Sequence, residues 1–261
     1  MTQRPERRRQ RAKHPASLCE WPDIDHDAPS GDPITRIAVW RLDDSNDDHL
    51  DADPNTVFTS QLTKRLILMY SNRGDTIVDL DNDAQLLTAA RAAGREHLAI
   101  TDTADIAVLD ELHSDGRQIG LVTVQWPRPA QLDVPPPAAA IADLFLACRL
   151  MTGGTATVIF VMHPATAATP DTFTGYERDL RAAAEACGFG HPQQIIAVGA
   201  PRDGDAFVYY ATHAEAKDIA ASESSPPVRL LVFTPPPAGT RTHSSEPTVG
   251  TVSTLHDLLD P

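Results

Sequence analysis

Two short segments hold most of the chemistry this chain can offer. Asp79-Leu80-Asp81-Asn82-Asp83-Ala84-Gln85 crowds three carboxylates and an amide into five residues, just after the apolar run Thr76 to Leu80. Carboxylates accept hydrogen bonds and repel anions, and Asp and Asn are the non-glycine residues that best tolerate left-handed backbone. Gln125-Trp126-Pro127 closes a second apolar run, Ile119 to Gln125. Gln125 can accept a hydrogen bond, and Trp126 offers a flat indole that either stacks on a base or plugs the edge of a sheet. Other chemistries find little support. None of the ten histidines pairs with a second at metal-binding spacing beside a carboxylate, so no metal is expected. Six aspartates between Asp43 and Asp53 lack the glycine and closing glutamate of a calcium loop and read as a solvated acidic loop. There is no GxSxG, GxxxxGK[ST] or GxGxxG, which leaves serine hydrolysis, phosphate-loop chemistry and dinucleotide use without a motif.

Composition narrows the partners. The net charge is −14 over 261 residues, but residues 1–13 carry six cations against Glu6, so the remainder stands at −19. An acidic body repels a phosphate backbone. Any nucleic-acid contact therefore falls to the basic start, through Arg7, Arg8, Arg9 and Arg11, and is expected to be weak, salt-sensitive and sequence-independent. A protein partner is the other class left open. No apolar run reaches the ~18 residues of a membrane span and no signal peptide is evident, so a cytoplasmic protein without membrane contact is expected. Cys19, Cys148 and Cys187 form no CxxC pair and read as reduced, structural thiols.

The elements that must position these residues follow from periodicity. Residues 1–35 are polar and aperiodic, reading as a disordered tail, and a short strand can follow at Ile34 to Leu42. Thr59 or Ser60 caps a helix with Leu62, Leu66, Met69 and Tyr70 on one face. Strand Thr76 to Leu80, helix Asp83 to Ala93 and strand His97 to Thr101 make a βαβ unit. A short helical stretch is expected at Ile106 to His113, before strand Ile119 to Gln125. Pro135 to Pro137 opens a helix with Ile141, Leu144, Phe145, Cys148 and Met151 inward. Strand Thr155 to Met162 and helix Gly175 to Cys187 come next. Gln193 to Gly199 and Asp205 to Thr212, around Pro201-Arg202-Asp203-Gly204, read as a hairpin. Beyond Lys217 the proline- and serine-rich chain reads as an extension, with one possible strand at Val228 to Phe233 and a weak helix at Ser253 to Leu259. The order implies an α/β fold with a mostly parallel sheet, whose ligands bind at the carboxyl ends of the strands.

Residues Leu62 to Ile100 resemble the cofactor half of S-adenosylmethionine-dependent DNA or RNA amino-methyltransferases of the N4-cytosine/N6-adenine type. Gly74-Asp75, Val78-Asp79, Ala89-Ala90 and Gly94-Arg95 carry the resemblance, and Ile119 to Pro129 is similar to the strand bearing that family's catalytic motif. The resemblance spans about residues 58 to 213. It implies a Rossmann-like class I methyltransferase sheet, mostly parallel with a C-terminal antiparallel hairpin, and reduced between the second and fourth strands because only residues 102–118 are left there. It implies three parts: a tail at 1–35, a methyltransferase-like domain at 36–216 and an extension at 217–261. It places Asp79, Leu80, Asp81 and Asp102 at a possible S-adenosylmethionine site, Asp102 on the ribose, and Gln125, Trp126 and Pro127 at the catalytic motif, with Arg128 where the family has its aromatic.

Both motifs are altered. The loop from Asp79 to Gln85 has no glycine, although close backbone approach to a cofactor favours glycine and the carboxylates would repel the cofactor's own. Gln125 and Trp126 replace the family's shorter polar residue and first proline. The expectation is a catalytically degenerate methyltransferase-like protein, a pseudoenzyme acting as a binding, scaffold or regulatory module. The alternative is an active DNA or RNA base methylase with a divergent cofactor loop.

Overall fold

In the computed structural model, residues 36–42, 58–101, 116–127, 137–162, 170–190, 192–199, 206–222 and 227–235 are described. All fall in the unit Pro33–Pro261; the other unit, Met1–Asp32, lies outside the description. So do the arginines at 7, 8, 9 and 11, the aspartates from Asp43 to Asp53, Asp102, Arg128 and the expected helices near residues 106–113 and 253–259.

The elements in chain order are β1 (Arg36–Leu42), α1 (Ser60–Tyr70), β2 (Thr76–Asp79), α2 (Ala84–Ala92), β3 (Glu96–Ala99), β4 (Ile119–Trp126), α3 (Ala138–Met151), β5 (Thr157–Met162), α4 (Pro170–Ala186), β6 (Gln193–Gly199), β7 (Ala206–Ala211), α5 (His213–Ser222) and β8 (Val228–Phe233). Local chemistry sets their ends. Thr59 caps α1 by accepting the Leu62 N–H at 3.2 Å. Asp83 caps α2, its Oδ1 accepting from Gln85 and Leu86 at 2.8 and 3.1 Å. In α3 the five residues expected to face inward are its buried ones.

The described strands form one sheet in the order β3-β2-β4-β5-β8-β6-β1-β7. β2 pairs in parallel with β3 and β4, β4 with β5, and β6 with β1, while β8 and β7 run antiparallel to their neighbours. This is a Rossmann-like α/β sheet, mostly parallel, with helices on both faces. Alternation along each strand divides the core in two. Ile77, Leu121, Ile159, Val161, Leu230 and Val232 pack toward α1 and α2. Val78, Val122, Val124, Phe160, Leu231 and Phe233 pack toward α3 and α4, and on that same face Ile37, Val39, Ile196 and Val198 pack with Ala216 of α5.

Two expectations need correction. β6 and β7 do not form a hairpin: β1 lies between them, parallel to β6 and antiparallel to β7. The intervening turn residues suggested local pairing, but β1 has buried residues on both faces and fills a position between two neighbours. β8 is no appendage either. It is hydrogen-bonded to β5 on one side and β6 on the other, with Leu230, Leu231, Val232 and Phe233 buried. α5, which the sequence pattern did not reveal, begins where Thr212 and Glu215 exchange hydrogen bonds through backbone and side chains.

The Gly74-Asp75 and Gly94-Arg95 pairs act at the amino end of the sheet. Gly94 holds φ +70°, and its carbonyl accepts the Gly74 N–H at 3.1 Å. Arg95 donates to the carbonyls of Ala93 and Ser71 at 2.6 and 2.8 Å and to Ser71 Oγ at 3.2 Å, tying the turn before β3 to the end of α1. Asp75 accepts the Asn72 N–H at 2.6 Å and lies so close to Gly120 that a side chain on that glycine would strike the carboxylate. These residues build the frame and stand at the far end of β2 from the candidate site.

The central position of β8 predicts that Leu231→Ala lowers unfolding free energy by about 2–5 kcal/mol. In a loose extension the same change would cost less than about 0.5 kcal/mol. Urea denaturation of the full chain distinguishes the two.

Candidate functional site

In a doubly wound sheet, ligands bind where the strand order reverses direction. From β2 the order runs outward to β3 on one side and to β4 and β5 on the other, so the switch point lies between the carboxyl ends of β2 and β4. Asp79 and Trp126 are the last residues of those two strands.

Asp79 is fully buried. A carboxylate without water needs donors, and the loop supplies them: the Asp81 N–H gives to Oδ1 at 2.9 Å and the Asp83 N–H to Oδ2 at 2.6 Å. His97 of β3 brings Nε2 to 3.1 Å from Oδ2, its own side chain only 3% exposed. Asn82 holds φ +54°, the left-handed conformation that turns the loop back over Asp79. Asp81 then reaches across the switch point, its Oδ2 accepting the Gln125 N–H at 2.5 Å. Among the described residues the three carboxylates accept five backbone N–H groups: two on Asp79, one on Asp81 and two on Asp83.

A glycine-rich loop would offer such donors to a ligand; this loop gives them to its own side chains. A cofactor carboxylate at the start of α2 would meet Asp83 on the helix N-terminal donors and Asp81 across the crevice. The residues at the start of α2 do not fit the carboxylate of S-adenosylmethionine. Leu80 is buried and contributes its backbone, its N–H giving to the Thr123 carbonyl at 3.2 Å.

The expected catalytic trio divides between the two faces. Gln125 is half-buried, and its backbone N–H is held by Asp81. Trp126, next along the strand, points to the opposite face. It is 1% exposed and meets Phe160 edge-on at 5.8 Å between ring centroids. Trp126 is thus the plug in the α3/α4 core rather than a stacking platform. Pro127 is buried and follows a cis peptide bond. Gln125 and Asp81 are brought together with Asp79; Trp126 is not.

His97 went unnoticed in the sequence, because a lone histidine in a strand has no local mark. The available signal was its place in β3: parallel pairing aligns it with Ile77, two residues before Asp79 and on the same face. Of the two described cysteines, Cys148 is buried and Cys187 half-buried. Burial pushes the Cys148 thiol up to about 12, with Cys187 adding to the rise. Cys187 is also raised by burial, against the pull of Arg149, and its thiol donates to the Ala142 carbonyl at 3.4 Å. Among the described residues no cluster could hold a metal ion and no helix is long and apolar enough to cross a membrane.

No family model and no curated protein matches the chain. Solved structures do. It is similar to a protein-(glutamine-N5) methyltransferase, release factor-specific, from Alicyclobacillus acidocaldarius, with 14% identity and a TM-score of 0.39 over 72% of this chain and 97% of that one. It is also similar to SMU.776, classed as a methyltransferase and solved with SAH, with 11% identity and a TM-score of 0.35 over 68% of this chain and 50% of that one. Likeness at this level bears on neither activity nor ligand.

Burial raises the Asp83 carboxyl above its ordinary value of 3.8; the Leu86 and Gln85 N–H groups pull it down, Asp79 pushes it up and His97 pulls it down. A raised carboxyl binds its proton more tightly in the folded state, so this group's contribution falls as pH rises through the interval above 3.8. Asp83→Asn keeps the helix cap without the charge. It is expected to gain about 0.5 kcal/mol at pH 7 after solvent screening and little at pH 3. Thermal unfolding at the two pH values checks this, and a loss at pH 7 would mean that the ionised cap is a net stabiliser.

Proposed function

We propose that this chain is a methyltransferase-like protein whose switch-point crevice is closed by its own carboxylates, and that it acts as a binding, scaffold or regulatory module. The hydrogen bond from the Gln125 N–H to Asp81 is the observation that supports this reading most directly, since it spans the crevice a cofactor would enter. Asp79 and Asp83 add to it by using donors on either side. The resemblance carried by Gly74-Asp75 and Gly94-Arg95 is explained by their part in the frame, which a protein keeps when catalysis is gone.

The basic start belongs to the same reading. Arg7, Arg8, Arg9 and Arg11 would let the module touch nucleic acid weakly, each engaged phosphate adding about −0.9 to the salt slope on duplex DNA. Deleting residues 1–13 is expected to abolish whatever DNA affinity the chain shows in low salt, measured by fluorescence anisotropy at two salt concentrations. Unchanged affinity would exclude the tail.

Isothermal titration with S-adenosylmethionine and with S-adenosylhomocysteine tests the closed crevice, and neither is expected to bind. Micromolar binding of either would overturn the closure. Transfer of a labelled methyl group to DNA or tRNA, abolished by Gln125→Ala, would establish instead an active DNA or RNA amino-methyltransferase.

A further inference from the structure

One charged residue interrupts an apolar row at the carboxyl edge of the sheet. The register aligns Trp126 of β4 with Met162 of β5, Met162 with Arg229 of β8, Arg229 with Ile196 of β6, and Ile196 with Val39 of β1. Trp126, Met162, Ile196 and Val39 are buried; Arg229 is half-buried. Trp126 and Met162 belong to the core under α3 and α4, and Ile196 and Val39 to the core under α5. Arg229 therefore stands at the seam between the two.

Its guanidinium carbon lies 4.5 Å from the centroid of Phe173, in the first turn of α4. The Nε is buried and has no hydrogen-bond partner among the described residues. The carboxylate that acts on it is Glu177, one turn along α4, but Glu177 accepts from Arg181 at 2.7 Å. Burial lowers the pKa of Arg229, with Glu177 opposing the shift, yet a guanidinium keeps its charge in proteins. A guanidinium half withdrawn from water with an orphaned Nε costs folding free energy, and packing alone gives no reason for an arginine in this apolar row.

We propose that Arg229 anchors an anion-binding site between β8 and the start of α4, where its planar N–H fork takes the carboxylate or phosphate group of a ligand. Phe173 holds the guanidinium plane from one side, and the buried neighbours lower the local dielectric, which strengthens a charge-assisted pair. The chain's net charge of −14 repels anions generally, so binding here depends on this one cation and on direct contact. The site lies two strands from the β2–β4 crevice and holds whether or not that crevice takes S-adenosylmethionine.

The test uses the full chain, its Arg229→Met and Arg229→Lys variants, and two probes, pyrophosphate for the phosphate class and citrate for the carboxylate class, at ionic strength matched with sodium chloride. At least one probe is expected to bind the wild type by isothermal titration, and Arg229→Met to weaken it about tenfold or more. Arg229→Lys, which keeps the charge but loses the fork, should fall between them. Which probe responds identifies the ligand class. Without probe, Arg229→Met is expected to raise Tm by about 2 °C, because its apolar stem packs on Phe173 without an orphaned Nε. Absence of binding by both probes to the wild type would overturn the proposal whatever the Tm, and a Tm that falls as well would make Arg229 a packing residue. Equal binding by wild type and Arg229→Met would overturn it too, by placing the anion elsewhere.

Discussion

A carboxylate sealed from water must be surrounded by donors, and Asp79 imposes that requirement on the carboxyl edge of the sheet. Its two oxygens take the Asp81 and Asp83 N–H groups and stand against His97, which brings the loop over the end of β2 and fixes where α2 begins. Once the loop is folded back, Asp81 is carried to β4 and Asp83 to the first turn of α2. A glycine loop would leave such donors pointing outward; an aspartate loop turns them inward. Here the loop, β4 and the start of α2 are joined by hydrogen bonds that the chain makes to itself.

The rest of the sheet holds that joint in place. β2 and β4 alternate between two apolar layers, so neither strand can rotate without exposing one of them. Trp126 fixes the end of β4 from the α3/α4 side while Asp81, in the loop after β2, holds the Gln125 N–H. At the other end of β2, Asp75 and Arg95 fasten the turns beside Gly74 and Gly94. Both ends of β2 are thereby tied by polar side chains, and its interior by packing.

Much of this frame was legible because it is local. The inward residues of α3, the cap at Thr59, one of the two residues expected there, and the span of β6 follow from spacing and from which side chains accept N–H groups. What stayed hidden is long-range. Nothing in residues 228–233 announces a place between β5 and β6, and their polar, proline-bearing surroundings suggest a loose end. The turn chemistry of residues 201–204 favoured a hairpin, and only the tertiary arrangement shows β1 taking the intervening position. At the site, Asp79, Asp81 and Gln125 were recognisable as polar residues ending strands, but the partner of Asp81 is a backbone group 44 residues away, and His97 joins through sheet register. The opposite facing of Gln125 and Trp126 could have been read from strand alternation alone.

The placing of β1 and β8 bears on how the chain assembles. β1 is the first strand described, yet it pairs residue for residue with β6, Arg36 against Gln193, and β6 reaches β5 only through β8, the last strand described. Half of the sheet therefore cannot close until β8 has been synthesised, while β3, β2, β4 and β5 can associate from neighbouring segments. Such long-range closure slows folding and leaves apolar strand edges open in the meantime. During that interval β1, apolar on both faces, waits beside a partly built sheet, and its exposure to other nascent chains is set by the speed of translation rather than by the stability of the finished fold.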